Sequence, residues 1–138
     1  MKITVETNVQ ASLSSVWESW ITPSDITQWN FASDEWHCPS AEIELREGGK
    51  FSYRMEAKDK SAAFDFTGTF SKVIPRSMLC FKLADNRTVE VMFDQSDDGV
   101  RVTETFEKEN IHTAEEQRSG WESILNNFKK HVERKSVV

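Results

Sequence analysis

Gly120-Trp121-Glu122-Ser123-Ile124-Leu125-Asn126-Asn127-Phe128-Lys129-Lys130-His131-Val132-Glu133 has the pattern of an amphipathic helix. Trp121, Leu125, Phe128 and Val132 recur at spacings of four, three and four, which puts them on one face of a helix as a continuous apolar stripe. The residues between them are almost all polar. A lone amphipathic helix must cover its stripe with another element, and the segment before it reads as a run of strands, so the expected partner is a sheet.

The helix announces its start. Thr113-Ala114-Glu115-Glu116 fits the S/T-x-x-E box, in which hydroxyl and carboxylate each satisfy a backbone N–H that the first turn leaves without a partner. Helix onset is therefore predicted near residue 114. Glu115 and Glu116 stand in the first turn, while Lys129, Lys130, Arg134 and Lys135 gather towards the end, the order that the helix dipole favours. The basic cluster reads as a solvated face rather than as a nucleic-acid or lipid site.

Moving towards the amino terminus, the apolar period changes to two. Val100, Val102, Glu104 and Phe106 alternate after the hairpin signal Asp98-Gly99. Val89, Val91 and Phe93 form the strand before it, and Leu79, Phe81 and Leu83 another, with Asp85-Asn86 turning the chain between them. Phe64, Phe66, Gly68 and Phe70 alternate with Asp65, Thr67 and Thr69 up to Ile74-Pro75, and Lys58-Asp59-Lys60 marks an exposed loop. Phe51, Tyr53, Met55 and Ala57 share a face after the turn Glu47-Gly48-Gly49-Lys50, whose glycines are expected to supply positive φ. Ile43 and Leu45 lead into that turn, so the sheet pattern is expected from Ala41 onward.

The first thirty residues read as a strand and two short helices. Ile3, Val5, Thr7 and Val9 line one face of a strand over 2–9, and Leu13, Val16, Trp17 and Trp20 follow at helical spacing. Thr22-Pro23-Ser24-Asp25 restarts a helix, with Thr22 as N-cap, Pro23 at the first helical position and Asp25 supporting the cap. Ile26 and Trp29 are its buried residues. No linker, repeat or low-complexity tract interrupts the 138 residues, so a single domain over 1–138 is expected.

Composition excludes several classes. With 38% hydrophobic and 29% charged residues the chain is globular, and no apolar run approaches the roughly 18 residues of a membrane span. The amino terminus alternates instead of presenting the apolar core of a secretion signal, so a cytoplasmic protein is expected. A net charge of −6 disfavours nucleic acid, because phosphate contacts need a positive patch. Cys38 and Cys80 form no CxxC pair and are expected to be free thiols. His37 and Cys38 are neighbours in an extended segment and point to opposite faces, which argues against a dyad. No sequence pattern asks for a metal or cofactor, and no phosphate loop, nucleophile elbow or HExxH occurs.

Val16-Trp17, Thr22-Pro23 with Trp29, Glu47-Gly48-Gly49-Lys50-Phe51, Gly68 before Phe70, and Gly120-Trp121 with Leu125 and Phe128 occur in an order and spacing that resemble the START-like (SRPBCC) superfamily. The branch is similar to activators of the ATPase of the ninety-kilodalton heat-shock chaperone, and the resemblance spans roughly residues 2–134. It implies an α+β helix-grip fold like that of birch-pollen allergen, β-α-α-β6-α, with a curved antiparallel sheet wrapped around the carboxy-terminal helix. Related members bind lipids, hormones or polyketides, or catalyse cyclisation, so the resemblance leaves the activity open. The eukaryotic co-chaperones carry a separate amino-terminal domain that contributes to activation, whereas this chain begins on the first strand.

A sheet gripping one helix leaves a gap wherever side chains fail to fill it. The inward set expected here is Phe51, Tyr53, Met55, Phe66, Phe70, Phe81, Val91, Trp121, Leu125 and Phe128, joined by Trp17 and Trp29. Either these aromatics pack solidly or they line a cavity for a hydrophobic small molecule, and bulk added at Gly68 or Met55 would then fill it. Glu104 shares strand parity with Val102 and Phe106, so an unbroken strand aims its carboxylate inward, to pair with an arginine or orient a ligand, whereas a bulge or a frayed strand end would turn it out. Asp25, His37, Arg46 and Arg54 are expected around a cavity mouth. Small-molecule binding leads these readings; regulation of a chaperone ATPase through surface contacts, or cyclase or hydrolase chemistry by cavity acids, are the alternatives.

Overall fold

In the computed structural model, which describes residues 1–136, the chain runs β1 (Lys2–Val9), α1 (Leu13–Ile21), α2 (Pro23–Trp29), β2 (Trp36–Ile43), β3 (Lys50–Ala57), β4 (Ala63–Ile74), β5 (Met78–Leu83), β6 (Thr88–Ser96), β7 (Gly99–Glu107) and α3 (Ala114–Ser136). The strands form one antiparallel sheet in the order β1-β7-β6-β5-β4-β3-β2. From β2 to β7 every strand pairs with its successor, and β1 closes the far side by pairing with β7. The curled sheet grips α3, which is the helix-grip architecture.

The stripe on α3 is the hub of the core. Leu125, Phe128 and Val132 are buried, and Phe128 meets Trp20 and Trp29 edge-on with ring centroids 4.8 and 4.9 Å apart. Those two tryptophans come from α1 and α2, so one phenylalanine joins all three helices. His131 Nε2 lies 2.8 Å from Asp25 Oδ1 and Lys135 Nζ donates to the same oxygen at 2.6 Å, which fastens α2 along the other side of α3.

The capping box forms as the sequence predicts. The Glu116 N–H donates to Thr113 Oγ1 and the Thr113 N–H donates to Glu116 Oε1, both at 3.1 Å. Thr113→Ala is expected to cost about 0.5–2 kcal/mol, with faster amide exchange confined to the first turn of α3. Unchanged protection over residues 115–117 would show that the cap contributes nothing.

Four local expectations need correction. β2 starts at Trp36 rather than Ala41 and stops before Leu45, because a bulge between His37 and Ser40, containing Pro39, breaks the alternation that marks a strand. Thr22 occupies the N-cap of α2 without a side-chain hydrogen bond, and Asp25 serves α3 rather than the cap. Ser12, which the sequence did not single out, caps α1 by accepting from the Ser15 N–H at 3.1 Å. In the β2–β3 turn only Gly48 has positive φ; Gly49 is required because a Cβ there would sit 2.2 Å from the Glu44 carbonyl oxygen.

Candidate functional site

The sheet and α3 do not meet everywhere. Between them lies an open cavity of about 490 Å³, within the roughly 300–1,000 Å³ typical of small-molecule sites. Its wall includes Trp29 from α2, Phe51, Tyr53 and Met55 from β3, Phe66 and Phe70 from β4, Phe81 from β5, Glu104 from β7 and Trp121 from α3. The sequence also proposed Trp17, Val91, Leu125 and Phe128, which are buried but do not line this space. Trp17 turns its ring towards Phe93 instead, at 5.4 Å, and Leu125 and Phe128 lie further along the helix in the solid part of the core.

Phe51 organises the aromatic wall. Its ring contacts those of Tyr53, Phe66, Phe70 and Phe81 at centroid distances of 4.8 to 5.8 Å. Opposite it in the β3–β4 register stands Gly68, where a Cβ would come within 2.4 Å of Phe51 Cε2. Gly68 is thus the seat of a ring, and added bulk there would strike Phe51 rather than fill the cavity. Trp121 stacks on Phe106 at 4.0 Å and 10° and turns an edge to Phe66. It is only half-buried, since the cavity removes packing from one side.

Glu104 is the anomalous group. It is 5% exposed, and its register opposite Val5 on β1 and Val91 on β6 is unbroken, so no bulge turns it outward. Among the described residues no arginine pairs with it. No side-chain oxygen or nitrogen sealed from solvent lacks a hydrogen-bond partner among the described residues. Neither the Glu104 carboxyl nor the Tyr53 hydroxyl has such a partner, so both open onto the cavity they line. Burial pushes the Glu104 carboxyl up to about 8, with no opposing charge to bring it back. Burial likewise raises the Tyr53 hydroxyl, which stays protonated.

The mouth is built from residues that the sequence reading missed. Arg87, Glu109, His112, Glu116 and Gln117 line it, together with Asn30, Ile124 and the half-exposed Phe64. Asp25, His37, Arg46 and Arg54 lie elsewhere: His37 faces Glu56, Arg46 pairs with Glu44, Arg54 with Glu56 and Asp65, and Asp25 with α3. Glu109 and His112 come from the β7–α3 segment and Glu116, Gln117 and Ile124 from α3; the path of that segment follows from a network around Gln117. Gln117 accepts from the Glu109 N–H at 2.9 Å and donates to the His112 carbonyl at 2.9 Å. A signal was present, because Gln117 lies one turn before Trp121 on the stripe and breaks its apolar character. Cys38 and Cys80 are free thiols, and no group of His, Cys, Asp or Glu among the described residues is arranged to hold a metal ion. No helix among the described residues is long and apolar enough to cross a membrane.

Solved structures share this fold. The AHSA1-like protein from Aeromonas hydrophila, known in solution, is 42% identical over 100% of this chain and 96% of its own, with a TM-score of 0.93. A protein from Cytophaga hutchinsonii is 40% identical over 97% of this chain and 93% of its own, at 0.84. A crystal structure from Nitrosomonas europaea, 16% identical with 100% of this chain and 97% of its own covered, shares the fold at 0.81. No curated protein matches. The family described as "Activator of Hsp90 ATPase homolog 1-like protein" matches residues 10–133, and the chain belongs to that family.

Proposed function

We propose that this protein binds a small, largely apolar molecule in the cavity between its sheet and α3. The observation that carries the reading is the pairing of a continuous aromatic wall with a buried, unpartnered carboxyl inside the same space. An apolar surface of that kind gains by covering itself, and an uncompensated polar group gains by acquiring a partner. The family description names activation of a chaperone ATPase, which would act through the surface. The cavity supports the container reading in preference to it.

The test uses N-phenyl-1-naphthylamine, a reporter that is uncharged near neutral pH. Saturable one-to-one binding is expected, and Ile124→Trp, which adds bulk on the α3 side of the wall, should weaken it at least tenfold while leaving the melting temperature nearly unchanged. Overpacking a solid core would instead cost about 1–3 kcal/mol of stability with no binding to lose. Absence of saturable binding, or equal binding by Ile124→Trp, contradicts the reading.

A further inference from the structure

We propose that the ligand is an apolar molecule bearing a protonated amine, with the Glu104 carboxylate as its counter-ion among the aromatic rings. This rests on the reading of the cavity as a ligand site. The charged residues that line the cavity are already engaged, with Glu104 as the exception. Arg87 donates to Asp85 Oδ2 at 2.7 Å and to the Glu107 carbonyl at 3.2 Å; His112 Nδ1 lies 3.0 Å from Glu109 Oε1; Glu116 holds the α3 cap. Tyr53 contributes a neutral hydroxyl, and the residues opposite Glu104 on β1 and β6 are valines.

That distribution selects among ligands. A fatty acid could share the one proton that Glu104 holds, but its own negative charge would then be buried with no unengaged cation on the described wall to balance it. A neutral lipid would use the carboxyl for one hydrogen bond and draw nothing from the negative faces of Trp29, Phe51, Phe66 and Trp121. An ammonium group uses both, as its ion pair with a carboxylate and its attraction to ring faces reinforce each other where water is scarce. Because burial keeps Glu104 protonated in the empty cavity, amine binding must expel that proton. Affinity should therefore fall about tenfold for each pH unit below about 8, with close to one proton released per amine bound at pH 7.

Dodecylamine, dodecanol and dodecanoate, each below its critical micelle concentration, present one apolar body with three head groups. Dodecylamine is expected to bind at least tenfold more tightly than dodecanoate at pH 8. Glu104→Gln should reduce amine affinity at least tenfold, change dodecanol affinity far less, since Gln can still hydrogen-bond a hydroxyl, and remove the proton release in calorimetry across buffers of different ionisation heat. A slope that persists in that variant points away from Glu104. Equal or tighter binding of dodecanol or dodecanoate by the wild-type chain overturns the amine inference and leaves the container reading standing. Binding of none of the three overturns both.

Discussion

Phe128→Ala is expected to lower the unfolding free energy by about 3–5 kcal/mol, the usual range for truncating a fully buried aromatic side chain. Phe128 is 0% exposed, and its ring is held between Trp20 and Trp29. Both indoles are parts of short helices that cannot close over the void without leaving the sheet, so the cavity term should be near its upper end. Trp121→Ala should cost less despite removing a larger ring, because Trp121 faces the cavity and is only half-buried. Urea denaturation of both variants tests the contrast. A Phe128→Ala loss below about 1 kcal/mol, or a larger loss at Trp121, would mean that the grip on α3 is centred elsewhere.

The second large effect is a dependence on pH. The unfolded chain releases the Glu104 proton near its ordinary value of 4.5, whereas the folded chain holds it to about 8. An acid raised in the folded state costs nothing below 4.5, and its penalty grows through that window as pH rises and is constant above it. Each pH unit over which only the folded chain keeps the proton costs about 1.4 kcal/mol, so the penalty by pH 8 is on the order of 4 kcal/mol. Glu104→Gln removes that titration. The variant should match the wild-type chain within about 1 kcal/mol at pH 5 and exceed it by several at pH 8.5, since every other group titrates equally in both. Parallel curves would mean that the Glu104 carboxyl titrates alike in the folded and unfolded chain.

The fold was legible because its elements obey clean periods. The stripe of α3, the Thr113 box and the alternation in β3 to β7 each depend on neighbours close in sequence. Legibility failed at β2, where Pro39 sits in a bulge and the pattern around Cys38 loses its period. Along α3 the stripe gives helical register, but not the point at which the sheet curves away, so it could not separate Trp121 at the cavity from Phe128 in solid core. Parity identified Glu104 as inward, yet whether an arginine would reach it depends on the three-dimensional course of other strands. The mouth was the least legible part. Asp25 and Arg54 are polar residues of the right kind, but their partners on α3 and β4 draw them away, while Glu109 and His112 arrive through a short loop fixed by Gln117.

The proposed apolar ligand enters the space between sheet and helix. Titration of ¹⁵N-labelled protein with dodecylamine, followed by amide and indole chemical shifts, tests it most directly. Saturating shifts are expected at Gln117, Gly120, Trp121 and Ile124 and at the Trp29 indole, with Thr4 and Arg101 on the outer face of β1 and β7 unmoved. Shifts spread over the acidic surface without saturation, or none at the cavity wall, would contradict it.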